Sequence, residues 1–243
     1  MMKKNLSVAV LILLLGYVLF AVVALCDRPE GQECRGVRLE MRDSTEVGYM
    51  TTQDVVAQLK KRNLDPTGRL LDDVNLRSIE EGLGQFPLIR RCECYKTVGG
   101  YVVVSVECRR PILRVMTLGS DSFYLDEEGE VIEHISKAVY LPMATGNISR
   151  DFAKKELLPL AQYLHKNEFW NAQIEQICVT SNGNVELIPR VGDHVIVFGR
   201  LENFVEKFDK LGTFYEKALC ELGWDRYSLI NVDYAGQVVA TRK

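Results

Sequence analysis

What this sequence has least of is the raw material of catalysis. Its three histidines, His134, His165 and His194, lie far apart and form no HExxH pair, so no zinc-enzyme signature is present. The patterns GxSxG, GxxxxGK(S/T) and GxGxxG are absent as well. That removes the nucleophile elbow, the phosphate-cradling loop and the dinucleotide fingerprint. Acidic residues are scattered, and no pair stands out as a general acid and base. Neither sign of charge dominates. With 30 Lys+Arg against 33 Asp+Glu the formal net charge is −3, which leaves no basic face for nucleic acid. The expectation is a chain that is not an enzyme, with no catalytic residues, no cofactor, no metal and no small-molecule substrate.

The cysteines are seven, an odd number: Cys26, Cys34, Cys92, Cys94, Cys108, Cys178 and Cys220. No two have CxxC spacing, so neither a zinc ribbon nor a thioredoxin-type site is signalled. Cys92 and Cys94 stand two apart on a predicted strand and so share one face. Two readings stay open for the cysteines. They are small buried apolar residues, or some pair, such as Cys94 with Cys108, is a disulfide in an oxidising compartment.

What the sequence does have is one long hydrophobic run. Leu6 to Cys26 reads LSVAVLILLLGYVLFAVVALC, with neither charge nor proline. About twenty residues at ~1.5 Å each make roughly 30 Å of helix, the thickness of a bilayer core. Lys3 and Lys4 precede the run, while Asp27, Arg28, Glu30 and Glu33 follow it. The positive-inside rule then puts residues 1–5 in the cytoplasm and everything beyond residue 26 outside it. Cleavage after Val22-Val23-Ala24 and lipidation of Cys26 are the alternatives to an uncleaved anchor. The run exceeds a signal-peptide core, and Leu25 fills a position where lipoproteins carry a small residue.

Residues 27–35 read as a linker. Gly36–Met41 alternates like a half-buried strand. Thr51 and Thr52 can cap a helix carrying Val55, Val56 and Leu59, broken at Asp65-Pro66-Thr67-Gly68. A second helix starts near Leu76 and ends at Pro87. Strands Ile89–Lys96 and Tyr101–Cys108 flank a hairpin loop. Pro111, lacking an N–H, is expected to stop the third strand, with Arg109 and Arg110 as its solvated end. The order is β-α-α-β-β. Together with Asn75–Leu83, the Phe86-Pro87-Leu88-Ile89 turn and the run Val104–Ile112, it resembles a POTRA domain, placed here at 36–112.

The remainder, 113–243, carries a hairpin over Phe123–Ile132. Its Glu127, Glu128 and Glu130 lack the ligand spacing of a calcium loop. A helix follows Ser149. Strands are expected at Ile174–Thr180, Val185–Pro189, His194–Phe198, Leu229–Tyr234 and Gln237–Thr241. A long helix carries the stripe Phe204, Phe208, Leu211, Tyr215, Leu219, Leu222. The fold class is α+β: one N-terminal transmembrane helix, a POTRA domain, then a mixed β-sheet domain with flanking helices.

Four stretches in this order make the likeness specific: Tyr124-Leu125-Asp126 with Gly129, Leu141-Pro142 with Gly146, Phe198-Gly199-Arg200 before the long helix, and Ile230 to Val239. The chain resembles the FtsQ/DivIB family of bacterial division proteins over residues 6–241. Asp233 departs from the family pattern, which often has Arg there. The resemblance implies a bitopic scaffold of the inner membrane, bulk in the periplasm, concentrated at the septum, with FtsB, FtsL and other divisome members as partners. It places Tyr234, Gly236, Val238, Val239 and Thr241 at a partner-binding sheet edge, with Gly199 and Arg200 nearby. Val238 and Val239 also suit a plain core. A POTRA-bearing translocation or assembly component that binds extended peptides is the second reading, and an anchored envelope enzyme the third.

Overall fold

The structure, a computed structural model, describes residues 12–21, 31–42, 50–119, 121–135 and 137–243. Residues 12–21 are helical, with Ile12, Leu13, Tyr17 and Phe20 exposed. No helix among the described residues is long and apolar enough to cross a membrane. The rest of the expected span, 6–11 and 22–26, lies outside the described residues, as do the alternatives of cleavage and of lipid on Cys26.

Two sheets carry the fold. The first has the order β1-β3-β2, from β1 (Gly36–Met41), β2 (Ile89–Lys96) and β3 (Tyr101–Cys108). β1 runs parallel to β3, and β2 antiparallel to it. The crossover from β1 holds α1 (Thr52–Lys61) and α2 (Leu76–Gly84). α1 starts where a capping box can form: the Thr51 hydroxyl accepts from the Asp54 N–H, and the Asp54 carboxylate accepts from the Thr51 N–H at 2.7 Å. Val55, Leu59, Ile79 and Leu83 are buried against Val102, Val104 and Val106 of β3.

The second sheet has nine strands in the order β12-β11-β10-β9-β8-β7-β4-β5-β6. Its first member, β4, is Pro111–Thr117. Pro111 therefore opens a strand, where the sequence reading has it only ending one. Proline is tolerated at a strand's first residue, and the register shifts between Pro111 and Leu113. β5 (Ser122–Asp126) and β6 (Val131–Ile132) form the acidic hairpin. β7 (Met143–Gly146) is too short for an alternation signal. α3 is one continuous helix built from Arg150–Phe152, a π turn at Ala153–Leu157, and Leu158–Lys166. α4 (Glu168–Gln173) follows, capped by the Asn167 side chain. β8 (Ile174–Val179), β9 (Val185–Pro189) and β10 (Val195–Gly199) lead to α5, which comprises Phe204–Phe214, a π turn at Tyr215–Leu219, and Cys220–Leu222. β11 (Tyr227–Asn231) and β12 (Val239–Arg242) close the sheet, slightly displaced from the expected 229–234 and 237–241.

Alternation explains how α3, α4 and α5 are held. Ile177, Leu187, Ile196, Phe198 and Ile230 are fully buried and meet Leu157, Leu160, Leu164, Phe208 and Leu211 of the helices. Phe208 packs at 5.0 Å from Phe198 and at 4.8 Å from Trp170, centroid to centroid. Each such buried ring is worth roughly 3–5 kcal/mol against alanine.

The two sheets are joined by more than the chain. Ile132 and Ile135, from β6 and the segment after it, are buried in the core of the three-stranded unit. Asp126 is 2 % exposed; its carboxylate caps its own turn through the N–H groups of Glu128 and Glu130 and takes Arg109 at 2.8 Å. Arg90 bridges Glu107 and Glu128. Arg109 is thus a buried-side latch and not the solvated strand end expected of it. The described cysteines are free thiols; Cys108 contacts the Met50 sulfur and is not joined to Cys94.

His194 is 3 % exposed and its Nε2 lies 3.0 Å from the Tyr215 hydroxyl. Nδ1 sits near the Trp224 carbonyl without meeting hydrogen-bond geometry. Burial lowers the His194 pKa, and Lys243 lowers it further, against the opposing pull of Asp193 and Asp225. The unfolded chain, with an ordinary pKa of about 6.5, then binds the proton more readily than the folded one. The stability from neutral His194 is complete above that pH and is lost as pH falls towards the depressed folded value. Urea midpoints measured from pH 7.5 to 5 should fall on acidification, and His194→Gln should flatten that fall; equal slopes in both proteins would refute the assignment.

Candidate functional site

A strand that closes a sheet has one row of backbone groups without a ladder partner, and β12 is such a strand. Among the described residues its one neighbour is β11, in antiparallel register with Leu229 opposite Thr241, Ile230 opposite Ala240 and Asn231 opposite Val239. The Lys243 N–H donates to the Arg226 carbonyl at 3.2 Å, towards β11. Backbone groups alternate sides along a strand, so Thr241 and Val239 also face β11. Ala240 and Arg242 therefore point their N–H and C=O outward.

The expected site residues gather at the end of the sheet where β12 begins. Tyr234 lies in the β11–β12 connection and is 53 % exposed. Gly236 turns that connection at φ +67°. Val238 precedes β12 and packs partly against the core, while Val239 and Thr241 are exposed on β12. Gly199 ends β10 and Arg200 follows it, solvent-exposed. The two halves of the expected set are brought together through Asp233. Gly199 has φ +73°, and a Cβ there would lie 2.1 Å from the Asp233 carboxylate. Only glycine meets both conditions.

Two lysines of α5, one turn apart, hold this end of the sheet. Lys207 is 8 % exposed. Its Nζ donates to the Phe198 carbonyl at 2.8 Å, the Arg200 carbonyl at 2.9 Å and the Asp233 carboxylate at 2.7 Å. All three ammonium donors are used. Lys210 donates to the Val232 carbonyl at 3.0 Å and the Tyr234 carbonyl at 2.6 Å. The Asp233 N–H is in turn held by the Asn231 side chain at 2.9 Å. The lysines escape a search for site residues because they read as the polar margin of an apolar stripe. The available signal is the unusual Asp233, which calls for a cation.

A cleft of about 340 Å³ lies between α5 and the β11–β12 connection, just before β12 begins. Phe214, Ala218 and Val238 line it, with Lys210 and Lys217. On the other side of the Lys207 clamp, Asn182, Asn184, Arg200, Glu202 and Asn203 surround a polar cleft. No group of three or more His, Cys, Asp or Glu side chains among the described residues could hold a metal ion. The arrangement offers backbone pairing, an apolar cleft and positive charge, which is equipment for holding a polypeptide segment.

Lys207→Met leaves the Phe198 and Arg200 carbonyls without their donor. The expected loss is about 2–4 kcal/mol of stability, measured by denaturant unfolding. Asp233→Asn, half-exposed and able to recover water, should cost under ~1 kcal/mol. A Lys207→Met protein as stable as the parent would show that the clamp is not structural.

Residues 110–241 match the family model described as FtsQ/DivIB, C-terminal related, and residues 32–107 match that of a POTRA-like domain. No curated protein matches the chain significantly.

Proposed function

The chain belongs to the FtsQ/DivIB C-terminal related family, and from that membership we propose a non-enzymatic, membrane-anchored scaffold of the bacterial divisome that captures a segment of FtsB or FtsL by strand addition at β12. The coarser facts are that it is a division-associated protein with a POTRA-like module, from a family whose members have divisome proteins as partners. The observation that carries the finer reading is the outward row of Ala240 and Arg242 on the strand that follows an apolar cleft at 236–238. An extended segment added there gains main-chain hydrogen bonds from the edge and side-chain contacts from the cleft. Tyr234, Gly236, Val238, Val239 and Thr241 are the contact residues in this reading, and Gly199 and Arg200 shape the end of the sheet from which they project.

The anchor is the run Leu6 to Cys26, whose charge asymmetry directs the N-terminus to the cytoplasm. What supports it is the apolar helical surface over 12–21, which has no counterpart to bury it among the described residues. In this reading the two folded units stand in the periplasm and gather at the septum with their partners.

The second reading, peptide capture by the POTRA-like unit alone, meets an obstacle at one of that unit's two edges, β1 being the other. β2 closes the three-stranded sheet, and its Cys94 N–H is already taken by the Glu80 carboxylate at 2.7 Å. A side chain that caps an edge donor opposes strand addition at that point.

The full chain in detergent, mixed with FtsB and FtsL, tests the proposal. Ala240→Pro removes an outward N–H and leaves the β11 ladder intact, so the protein should keep its thermal midpoint while partner affinity falls at least about tenfold. Val239→Pro breaks a ladder bond and should destabilise the sheet end. Undiminished binding by a folded Ala240→Pro protein would refute strand addition at β12.

A further inference from the structure

The pair Cys92 and Cys94 is not used by any of the above. Both lie on β2, two residues apart, opposite Val106 and Val104 of β3. Those valines are completely buried under the helices, so the two thiols share the inner, helix-facing side of an edge strand. Both pack against the unit's core and both remain partly accessible. Both are free thiols. From α2, the Glu80 carboxylate is committed to the Cys94 N–H and fixes the strand beside them.

A direct S–S bond suits this placement poorly. Residues i and i+2 of a strand are about 6.6 Å apart at Cα, near the upper limit for a disulfide. A cation between the sulfurs removes that difficulty, since two metal–sulfur bonds of ~2.3 Å span up to about 4.6 Å. The donor set decides which cation. Structural zinc takes four ligands, and no third His, Cys, Asp or Glu joins the pair in a metal-holding group among the described residues. Two thiolates alone suffice for a soft monovalent ion, and thiolates select that class.

We propose that Cys92 and Cys94 form a two-thiolate site for a soft monovalent cation of the copper(I) and silver(I) class. The neighbouring Cys94 lowers the Cys92 pKa, whereas the neighbouring Cys92 and burial raise that of Cys94. One thiolate is therefore eased into being, and the second forms when the cation replaces the remaining thiol proton. The step balances as one M⁺ and two thiols giving a bis-thiolate complex of charge −1 and two protons. Nothing is oxidised or reduced.

Copper(I) bound to the chromophoric chelator bicinchoninate is the probe, titrated anaerobically with the full chain in detergent. The full chain should withdraw one equivalent with release of two protons. Cys92→Ser and Cys94→Ser should each weaken uptake at least about tenfold, whereas Cys178→Ser and Cys220→Ser should not. Silver(I) on the unmodified chain gives a reading independent of any variant: it should protect Cys92 and Cys94 together from alkylation, mapped by mass spectrometry. Failure to compete with the chelator, uptake retained by the Cys92→Ser/Cys94→Ser double variant, or alkylation of both thiols at the same rate with and without silver would each overturn the site.

Discussion

One buried ammonium group governs the end of the nine-stranded sheet. Lys207 stands among apolar side chains of α5, where an unpaired charge is strongly disfavoured. It is tolerated because the Phe198 carbonyl, the Arg200 carbonyl and the Asp233 carboxylate converge on it. The same three contacts tie the penultimate residue of β10, the loop after it and the segment leaving β11 to a single point on one helix. Gly199 must be glycine for Asp233 to come that close. Lys210 repeats the arrangement one turn later on Val232 and Tyr234. The path of the chain into β12 is thus set by helix-borne cations, and under the proposed strand addition a strand so fixed would not have to order itself first.

The molecule has edges at both of its sheets, and they are treated differently. At β2, the Glu80 carboxylate from α2 occupies an outward N–H. At β12, the groups of Ala240 and Arg242 face away from β11, and a cleft lined by Phe214, Ala218 and Val238 precedes the strand. At the far end of the large sheet, two-residue β6 sends Ile132 into the core of the smaller unit. Short length, a capping side chain and burial are ordinary ways to suppress unwanted strand pairing. Against that background, β12 is the edge proposed for docking, while β1 also closes the smaller sheet. The Arg109–Asp126 latch and the shared core around Ile132 join the nine-stranded sheet to the three-stranded unit.

Much of this was legible in the amino-acid sequence, where local signals are strong. Gly36–Met41 and Val185–Pro189 alternate cleanly, and Ile89–Lys96 and Tyr101–Cys108 are marked by the glycine-containing hairpin loop between them. The apolar stripe of α5 is periodic over its whole length. β4 was hidden because Pro111 reads as an end, although proline serves equally well as a first strand residue. β7 is four residues long and α4 six, too short for periodicity to show. The clamp was illegible for a different reason. Lys207 is placed by tertiary contacts with residues as far away as Asp233, and no local pattern distinguishes a lysine that turns inward from one that meets water. The latch was misjudged in the same way: Arg109 looks solvated until β5 brings Asp126 beside it.

Residue-resolved hydrogen exchange of the full chain, alone and saturated with FtsB, tests the central claim most directly. The account predicts new protection at the amides of Ala240 and Arg242, with little change at Val239 and Thr241, which are already bonded to β11. Protection that left Ala240 and Arg242 exchanging freely and appeared instead along β2 would contradict it.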